Sequence, residues 1–549
     1  MLENIDVVVN GKKAVVKKGI TLLELSKLYE HEYMHKIIVA KVNMEYHELN
    51  DTIVKPCNIE FFDLTNSFAN RVYLNGLIFL VNFCFNELYK KKGYLSTKYS
   101  ADKALYIESS CKLTREMVIE LENSMNKVID AGLRIYKATI LRTDAINYFN
   151  EIGDTKKAGL LGYITNTYVN LYRLGNTYNY MFSLMPSTTD CLSEFKLTYL
   201  SEEGFVLRFP TIFSGTEIPK YKHHPKLFET FKQSKDYLKL VNLETSVDLN
   251  DLITSDKIYD IIKINETIYS NQLLETARKI ASDKKIKFVL IAGPSSSGKT
   301  TTTKKLSLYF KCFGLNPKVI SVDDFFVNRK DTPKKSNGEY DFECLEAIDL
   351  KLFNKTMEKL LNGEKVKMPV FNFLTGEKEF KKEMQLDKKD ILLIEGIHCL
   401  NPKILDNLNE SNKIKIYLSA LTEINIDKDN RIATTDNRLI RRIIRDYYTR
   451  GYSPEDTLKL WSSVRDGEEK NIFAFQDEAD ITINTGLVYE FPILKVYALP
   501  LLYKVKKDSP YYEEAKRLIR LLDIFLPVPS EQIPNDSILR EFIGGSYFE

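Results

Sequence analysis

The sequence predicts an α/β chain: a P-loop domain with a parallel sheet, preceded by a small β-grasp domain and a second, α+β domain. Three observations carry that expectation. "KFVLIAGPSSSGKTTTTKKL", Lys287 to Leu306, passes from an apolar strand through Gly293-x-x-x-x-Gly298-Lys299-Thr300 into a helix-like run. Two more apolar strands, "KVISV" and "ILLIEG", finish beside acidic residues, as strands of a parallel sheet do at a ligand crevice. At the N-terminus, "IDVVV", the turn dipeptide Asn10-Gly11 and "KAVVK" make a hairpin pattern.

The 549 residues suggest three or four domains at roughly 150 residues each. Hydrophobic residues make up 44% and charged ones 28%, enough to bury real cores. A net charge of +3 provides no whole-chain field that would select nucleic acid or a membrane. The start, "MLENIDVVVN", lacks a basic stretch and an apolar core, so no signal peptide is expected. The run "GLIFLVNFCF" is short of the roughly 18 residues of a membrane span. Seven scattered cysteines with no C-x-x-C pair fit a reducing cytoplasm. The expectation is a cytoplasmic protein with no membrane partner.

Taken in order, the hairpin is followed by Thr21 with Glu24 three residues on, a capping box opening a helix to about Tyr29. "KIIVAKVN" and "CNIEFFD" then predict strands, giving ββαββ over 1–63. "HEYMH", His31 to His35, matches the zinc-protease pattern H-E-x-x-H, which needs both histidines on one helix face. Here the helix is ending and a strand begins at Lys36, so a surface turn is expected. In 64–220, "TREMVIELENSMNKVIDA" has helical spacing, and "FKLTYL" and "GFVLRFP" read as strands. A helical linker from His223 is expected over 221–270, the P-loop domain over 271–495, and a helical tail over 496–549. In that tail Ala515, Leu518, Ile519 and Leu522 form one apolar face.

The P-loop residues Gly293, Pro294, Ser295, Ser296, Ser297, Gly298, Lys299, Thr300 and Thr301 are expected to hold nucleotide phosphates. Glycines let backbone amides converge on the oxygens, and the helix N-terminus adds favourable potential. Lys299 is expected to neutralise β/γ-phosphate charge, and Thr300 to offer its hydroxyl to Mg²⁺. "KVISV" is expected to finish in Asp323-Asp324, and "ILLIEG" in Glu395, a second candidate for Mg²⁺ or its water. "RLIRRIIRDYYTRG" puts five arginines on one short helix, suited to a phosphoryl group in flight, and reads as a lid.

The first segment resembles the TGS domain, in "GITLLEL", "VAKVN" and "HELNDTI". The second resembles the domain that follows TGS in threonyl-tRNA synthetase. That domain edits with a histidine cluster; no histidine lies between His47 and His223 here, so the editing chemistry is not expected. The C-terminal half, in "GPSSSGKTT", "SVDDFF", "YDFECLEAIDL", "MPVFNF", "IEGIH" and "EADITIN", resembles the uridine kinase and phosphoribulokinase branch of P-loop kinases. With the N-terminal half, the whole looks like bacterial TGS-fused uridine kinase-like proteins. The resemblance implies Asp323 as the base facing an acceptor hydroxyl and Glu343 in place of a ribose-binding aspartate, with Phe371 in the acceptor pocket. It further implies Arg442, Arg445 and Arg450 in the lid and Asp480 near the nucleotide. Three positions depart from it. Gly376 stands for a base-reading histidine at the end of the run Phe371 to Gly376, Tyr452 for an arginine and Leu460 for a base-contacting glutamine.

Two functions follow. One is an ATP- and Mg²⁺-dependent kinase acting on a hydroxyl of a nucleoside-like small molecule. The alternative is a nucleotide-sensing regulator whose TGS-like domain binds RNA or a protein partner. The sequence has no N-K-x-D guanine motif, and a pure switch has no use for a carboxylate beside an arginine lid. The kinase is therefore the favoured expectation.

Overall fold

The structure is a computed structural model that describes residues 3–548 apart from 91, 216, 336, 337, 339, 373 and 374. Its first part contains β1 (Asn4–Val9), β2 (Lys12–Lys17), α1 (Leu22–Ser26), β3 (Val39–Val42), β4 (Glu45–Glu48) and β5 (Asn58–Phe62). The sheet order is β2-β1-β5-β3-β4, with β1 and β5 parallel. Asn10 and Gly11 both take positive φ, 48° and 82°, as a tight hairpin turn demands. Thr21 and Glu24 form the capping box in full. The helix is shorter than the sequence predicts, and a third strand, β4, follows it. Its residues "EYHE" carry no strong strand signal and are held by pairing with β3. His31 lies in a single 3₁₀ turn, Glu30–Glu32, and Tyr33 is extended (φ −119°, ψ 153°), so His31 and His35 share no helix face.

The second part begins with α2 (Ser67–Tyr89), then β6 (Leu95–Ala101), β7 (Ala104–Ser109) and α3 (Arg115–Asp130). It continues with β8 (Tyr136–Leu141), α4 (Arg142–Glu151), α5 (Thr155–Tyr163), β9 (Tyr168–Leu174), β10 (Thr177–Asn179), β11 (Lys196–Ser201) and β12 (Gly204–Arg208). An antiparallel sheet β11-β12-β7-β6 shares a core with α2 and α3, and a smaller sheet β10-β9-β8 sits beside it. Helix α2 corrects the reading of its apolar run. At 23 residues it is long and apolar enough to cross a bilayer by length and composition, yet 61% of its most apolar window is buried inside the protein. Its side chains, among them Tyr73, Leu77 and Phe85, make the centre of this core.

Helices α6 (Pro225–Leu240), α7 (Ser246–Thr254) and α8 (Ile258–Ser282) lead to β13 (Phe288–Ala292), α9 (Lys299–Cys312) and β14 (Asn316–Ser321). Then come α10 (Leu350–Leu361), the hairpin β15 (Val366–Asn372) and β16 (Glu377–Met384), β17 (Asp390–Glu395) and β18 (Lys413–Ser419). The chain closes with α11 (Thr434–Arg450), α12 (Pro454–Asn471), β19 (Ile481–Asn484), α13 (Glu490–Leu502), α14 (Tyr512–Asp523) and α15 (Arg540–Ile543). All five strands of the sheet β14-β17-β13-β18-β19 run parallel. Alternate residues of β13 enter different cores: Val289 and Ile291 on one face, Phe288 and Leu290 on the other. This explains the unbroken apolar text of its strands.

Of the four expected boundaries, 63/64 and 220/221 lie between elements, and the other two fall inside helices. Residue 270 lies inside α8, whose Tyr269, Leu273 and Ile280 pack on the sheet, and residue 495 lies inside α13. The tail helix α14 buries Ala515, Leu518, Leu521 and Leu522, and Ile519 packs partly buried against the same core. The second part and the P-loop domain also interlock: Thr97 N–H donates to Lys428 O at 2.8 Å, and buried Lys157 pairs with Asp429.

Candidate active site

The site is built at the carboxyl edge of the parallel sheet. Register sets Glu395, the last residue of β17, beside both Ile291 of β13 and Ser321 of β14. Beyond Ala292 the chain turns sharply. A side chain at Gly293 would meet Leu418 O at 2.5 Å and Ser297 Oγ at 2.6 Å, so only glycine fits. Ser296 (φ 60°) and Gly298 (φ 77°) are left-handed, a loop geometry that turns successive amides inward as an anion-binding nest. Helix α9 then starts at Lys299, with Gly298 as its N-cap.

Gly293 through Thr301 thus all lie in this loop and the first helical turn. Lys299 Nζ donates to the carbonyls of Gly293 (2.8 Å) and Pro294 (3.2 Å), folded over its own loop. Burial lowers its pKa, while the charges of Glu395 and Glu541 oppose that effect. Thr300 is exposed. Three buried polar atoms here have no hydrogen-bond partner: Ser296 Oγ, Ser297 Oγ and Glu395 Oε2. Buried polar atoms are rarely left so without a ligand in view. The donor set fits a nucleotide phosphate, and the hydroxyl of Thr300 with the spare oxygen of Glu395 fits Mg²⁺.

The acidic residues depart in detail from expectation. Strand β14 stops at Ser321, and Val322–Phe325 form a 3₁₀ turn in which Ser321 Oγ accepts the Asp323 N–H at 3.3 Å. Asp323 therefore does not end the strand, and the face alternation of extended chain does not apply to Asp324. Asp323 is open to solvent at the cleft floor. Desolvation by the surrounding protein raises its pKa, Lys299 opposes this, and Asp324 adds to it. Asp324 is raised by burial too, against a hydrogen bond from the Phe371 backbone. Glu343 is raised by burial, with Arg442 opposing most strongly and Glu468, Lys299 and Asp323 also within electrostatic reach. Glu395 is raised by burial against Lys299. Lys299, Asp323, Glu343 and Glu395 thus form one electrostatic cluster.

The arginine helix is not a free lid. Helix α11 buries Leu439, Ile440, Ile443 and Ile444 in the core. Arg438 and Arg441 are fully buried, the first on Glu468 and the second on Glu490, and both also reach P-loop carbonyls, those of Ser295 and Ser296. Arg442 donates to Ser295 Oγ at 2.8 Å. Arg442, Arg445 and Arg450 all gather on buried Asp446.

Two further expected site residues are engaged by neighbouring protein groups. Phe371 is 4% exposed, its ring edge-on to Phe326 and its backbone hydrogen-bonded to Asp324. Asp480 precedes β19, and its carboxylate accepts the Lys415 N–H at 2.8 Å, level with Leu290 in the middle of β13. Of the base-reading run, Phe373 and Leu374 lie outside the described residues. At Gly376 (φ 75°) a Cβ would stand 2.7 Å from that of Arg329, which leaves no room for a histidine.

Glu468 and Glu541 are site residues that sequence reasoning missed. Glu468, on α12, accepts the Ser295 N–H at 2.9 Å. Glu541, on α15, binds Thr301. Both arrive from distant chain, and no spacing rule links them to the loop.

The parallel sheet, the P-loop and the carboxylate-lined cleft define a P-loop phosphate-binding domain. Residues 288–490 match the phosphoribulokinase / uridine kinase family. The uridine kinase of Borrelia duttonii is 30% identical over 209 residues, 37% of this chain and 87% of that protein. Those of Anoxybacillus flavithermus (29% over 204 residues, 37% and 88%) and Mycoplasma genitalium (30% over 183 residues, 33% and 76%) are similar. The solved structure of a possible uridine kinase from Bacillus stearothermophilus aligns at 18% identity and TM-score 0.25, over 36% of this chain and 89% of that one. Through residues 288–490 the chain belongs to the phosphoribulokinase / uridine kinase family.

Proposed function

We propose that the protein is a cytoplasmic kinase that transfers the γ-phosphate of ATP to a hydroxyl of a small, nucleoside-like acceptor. The observation that carries this is the cluster on the cleft floor: Asp323, raised in pKa by its surroundings, within electrostatic reach of the P-loop Lys299. A nucleotide switch needs the loop but not the base. Bound Mg-ATP supplies the phosphoryl donor, with Thr300 and Glu395 as the residues to hold the metal. Asp323 accepts the proton of the acceptor hydroxyl, and a raised pKa brings it closer to the working pH. Lys299 offsets phosphate charge, and Arg442, already on Ser295, is within reach of the same anion. Glu343 receives acceptor hydroxyls as hydrogen-bond partners. The unpaired state of all seven cysteines is the one a reducing compartment keeps.

Glycine at 376 and exposed Leu460 leave two base-reading positions without a polar group, and exposed Tyr452 stands where an arginine is expected. The acceptor is therefore selected through its hydroxyls more than through a base. The test is to incubate the protein with Mg-ATP and a panel of nucleosides and sugar phosphates. Acceptor-dependent ADP supports the reading. Tight nucleotide binding with no acceptor-dependent turnover across the panel would favour the regulator instead.

A further inference from the structure

The last helix of the chain is seated against the phosphate loop. Glu541 Oε2 accepts the Thr301 N–H at 3.3 Å and the Thr301 Oγ1 proton at 2.7 Å. Thr301 is the third residue of α9, so its amide is among the first-turn donors with no partner inside the helix. Those donors, at the positive end of the helix, are what a P-loop offers to phosphate. The charge of Glu541 also acts on Lys299, Glu395 and Arg450, which places it within the phosphate site and not at its margin.

The segment carrying Glu541 is firmly held. Ile538, Leu539 and Phe542 are buried in the same core as α9 and α11. Ile538 fills the space beside Gly298, its Cδ1 2.2 Å from where a Cβ would stand. Lys305 pairs with Asp536 at 2.9 Å, Lys304 donates to Phe548 O at 2.6 Å, and Arg540 donates to Ser530 O and Ile533 O at 2.9 and 2.7 Å. The backbone of this segment is part of the core, whereas the side chain of Glu541 is partly exposed and can rotate without unpacking it.

We propose that Glu541 is a built-in competitor for nucleotide phosphate: its carboxylate holds the Thr301 amide and hydroxyl until a nucleotide enters, and must then turn away. A phosphate and a carboxylate cannot share one amide, because like charges at hydrogen-bond distance repel strongly. Each nucleotide that binds therefore gives up the Glu541–Thr301 contact, and affinity falls by that amount. The inference rests on reading the loop as a nucleotide site.

The test uses the full-length protein and titration calorimetry with Mg-ATP and with inorganic tripolyphosphate. Wild type is compared with Glu541→Gln, Glu541→Ala and Lys299→Ala. Glu541→Gln keeps the shape and removes the charge, so it guards against a folding defect in the alanine variant. Both Glu541 variants should bind each probe about tenfold more tightly, the scale of one charge-assisted contact. Unchanged or weaker binding in both, with Lys299→Ala still impaired, would overturn the competitor alone. Weaker binding would mean that Glu541 assists the nucleotide. Equal binding by wild type and Lys299→Ala, or no binding by any variant, would overturn the nucleotide site and the competitor together.

Discussion

Arg438 and Glu468 form a buried ion pair directly beneath the P-loop, and both partners also hold Ser295. Arg438 Nη2 donates to Glu468 Oε2 at 2.8 Å, Arg438 Nη1 to Ser295 O at 3.2 Å, and the Ser295 N–H to Glu468 Oε1 at 2.9 Å. One loop residue is thus gripped through both backbone polar groups. Burial works against the Glu468 charge, but Arg438 and Arg465 overcome it and keep its pKa below the ordinary value.

Arg438→Met should destabilise the protein by about 3 kcal/mol, the lower end for removing one partner of a buried pair, because Arg465 remains 2.9 Å from Glu468. Urea unfolding of the two proteins reads this directly. A loss below about 1 kcal/mol, the range of an exposed pair, would mean that the pair is structurally minor.

Lys299→Ala should abolish acceptor-dependent turnover and leave the melting temperature close to that of wild type. Its ammonium contacts two carbonyls of its own loop and no core packing depends on it. Wild-type turnover in the variant would remove the P-loop from the mechanism.

Asp323→Asn should lower kcat by roughly 10²-fold, the usual scale of a positioned base. Asp324→Asn should do much less, since that carboxylate is turned to the Phe371 backbone. A base works deprotonated, so the rate should rise with pH through the Asp323 titration. Desolvation by the walls of the cleft, with the charge of Asp324, lifts that titration above the ordinary 3.8, which shifts the acid limb of the wild-type profile upward. The reading of Asp323 as base fails if the asparagine variant keeps full kcat.

His224 links the end of the second part to the P-loop domain, with Nδ1 2.6 Å from Asp477 and Nε2 3.8 Å from Asp102. The two carboxylates raise its pKa above 6.5 against the effect of burial. The folded state therefore binds this proton more tightly than the unfolded one. The stabilisation is fully present below 6.5 and is lost as pH rises through the folded-state value. Melting curves of wild type and His224→Gln should differ most at about pH 6 and converge at high pH. A gap that widens with rising pH would contradict the assignment.

Much of the fold was legible because its signals are local. The N-terminal hairpin turn, the Thr21 capping box, the Gly293-to-Thr300 spacing and the apolar strands of the parallel sheet each depend on residues close in sequence. Legibility failed where an element is defined by its neighbours. β4 exists because β3 offers it a ladder, and α2 is a core helix because α3 and a sheet cover it. The burial of Phe371 and its edge-on packing on Phe326 likewise depend on chain brought in from elsewhere.

The sequence by itself determined that this chain cradles phosphate, since the backbone path of the loop follows from its glycines and the helix after it. Tertiary structure decided what surrounds that cradle. Arg438, Arg441, Arg442 and Arg445 share one helix face, and it was the acidic partners that divided them: Glu468 and Glu490, brought from distant elements, hold Arg438 and Arg441 buried, while Arg442 and Arg445 pair with Asp446 and stay less buried. Tertiary structure also committed Asp480 to the backbone amide of Lys415, level with Leu290 in the middle of β13. And it brought Glu541 back onto Thr301 from 240 residues away, a contact made by burial of Ile538, Leu539 and Phe542 that no local pattern encodes.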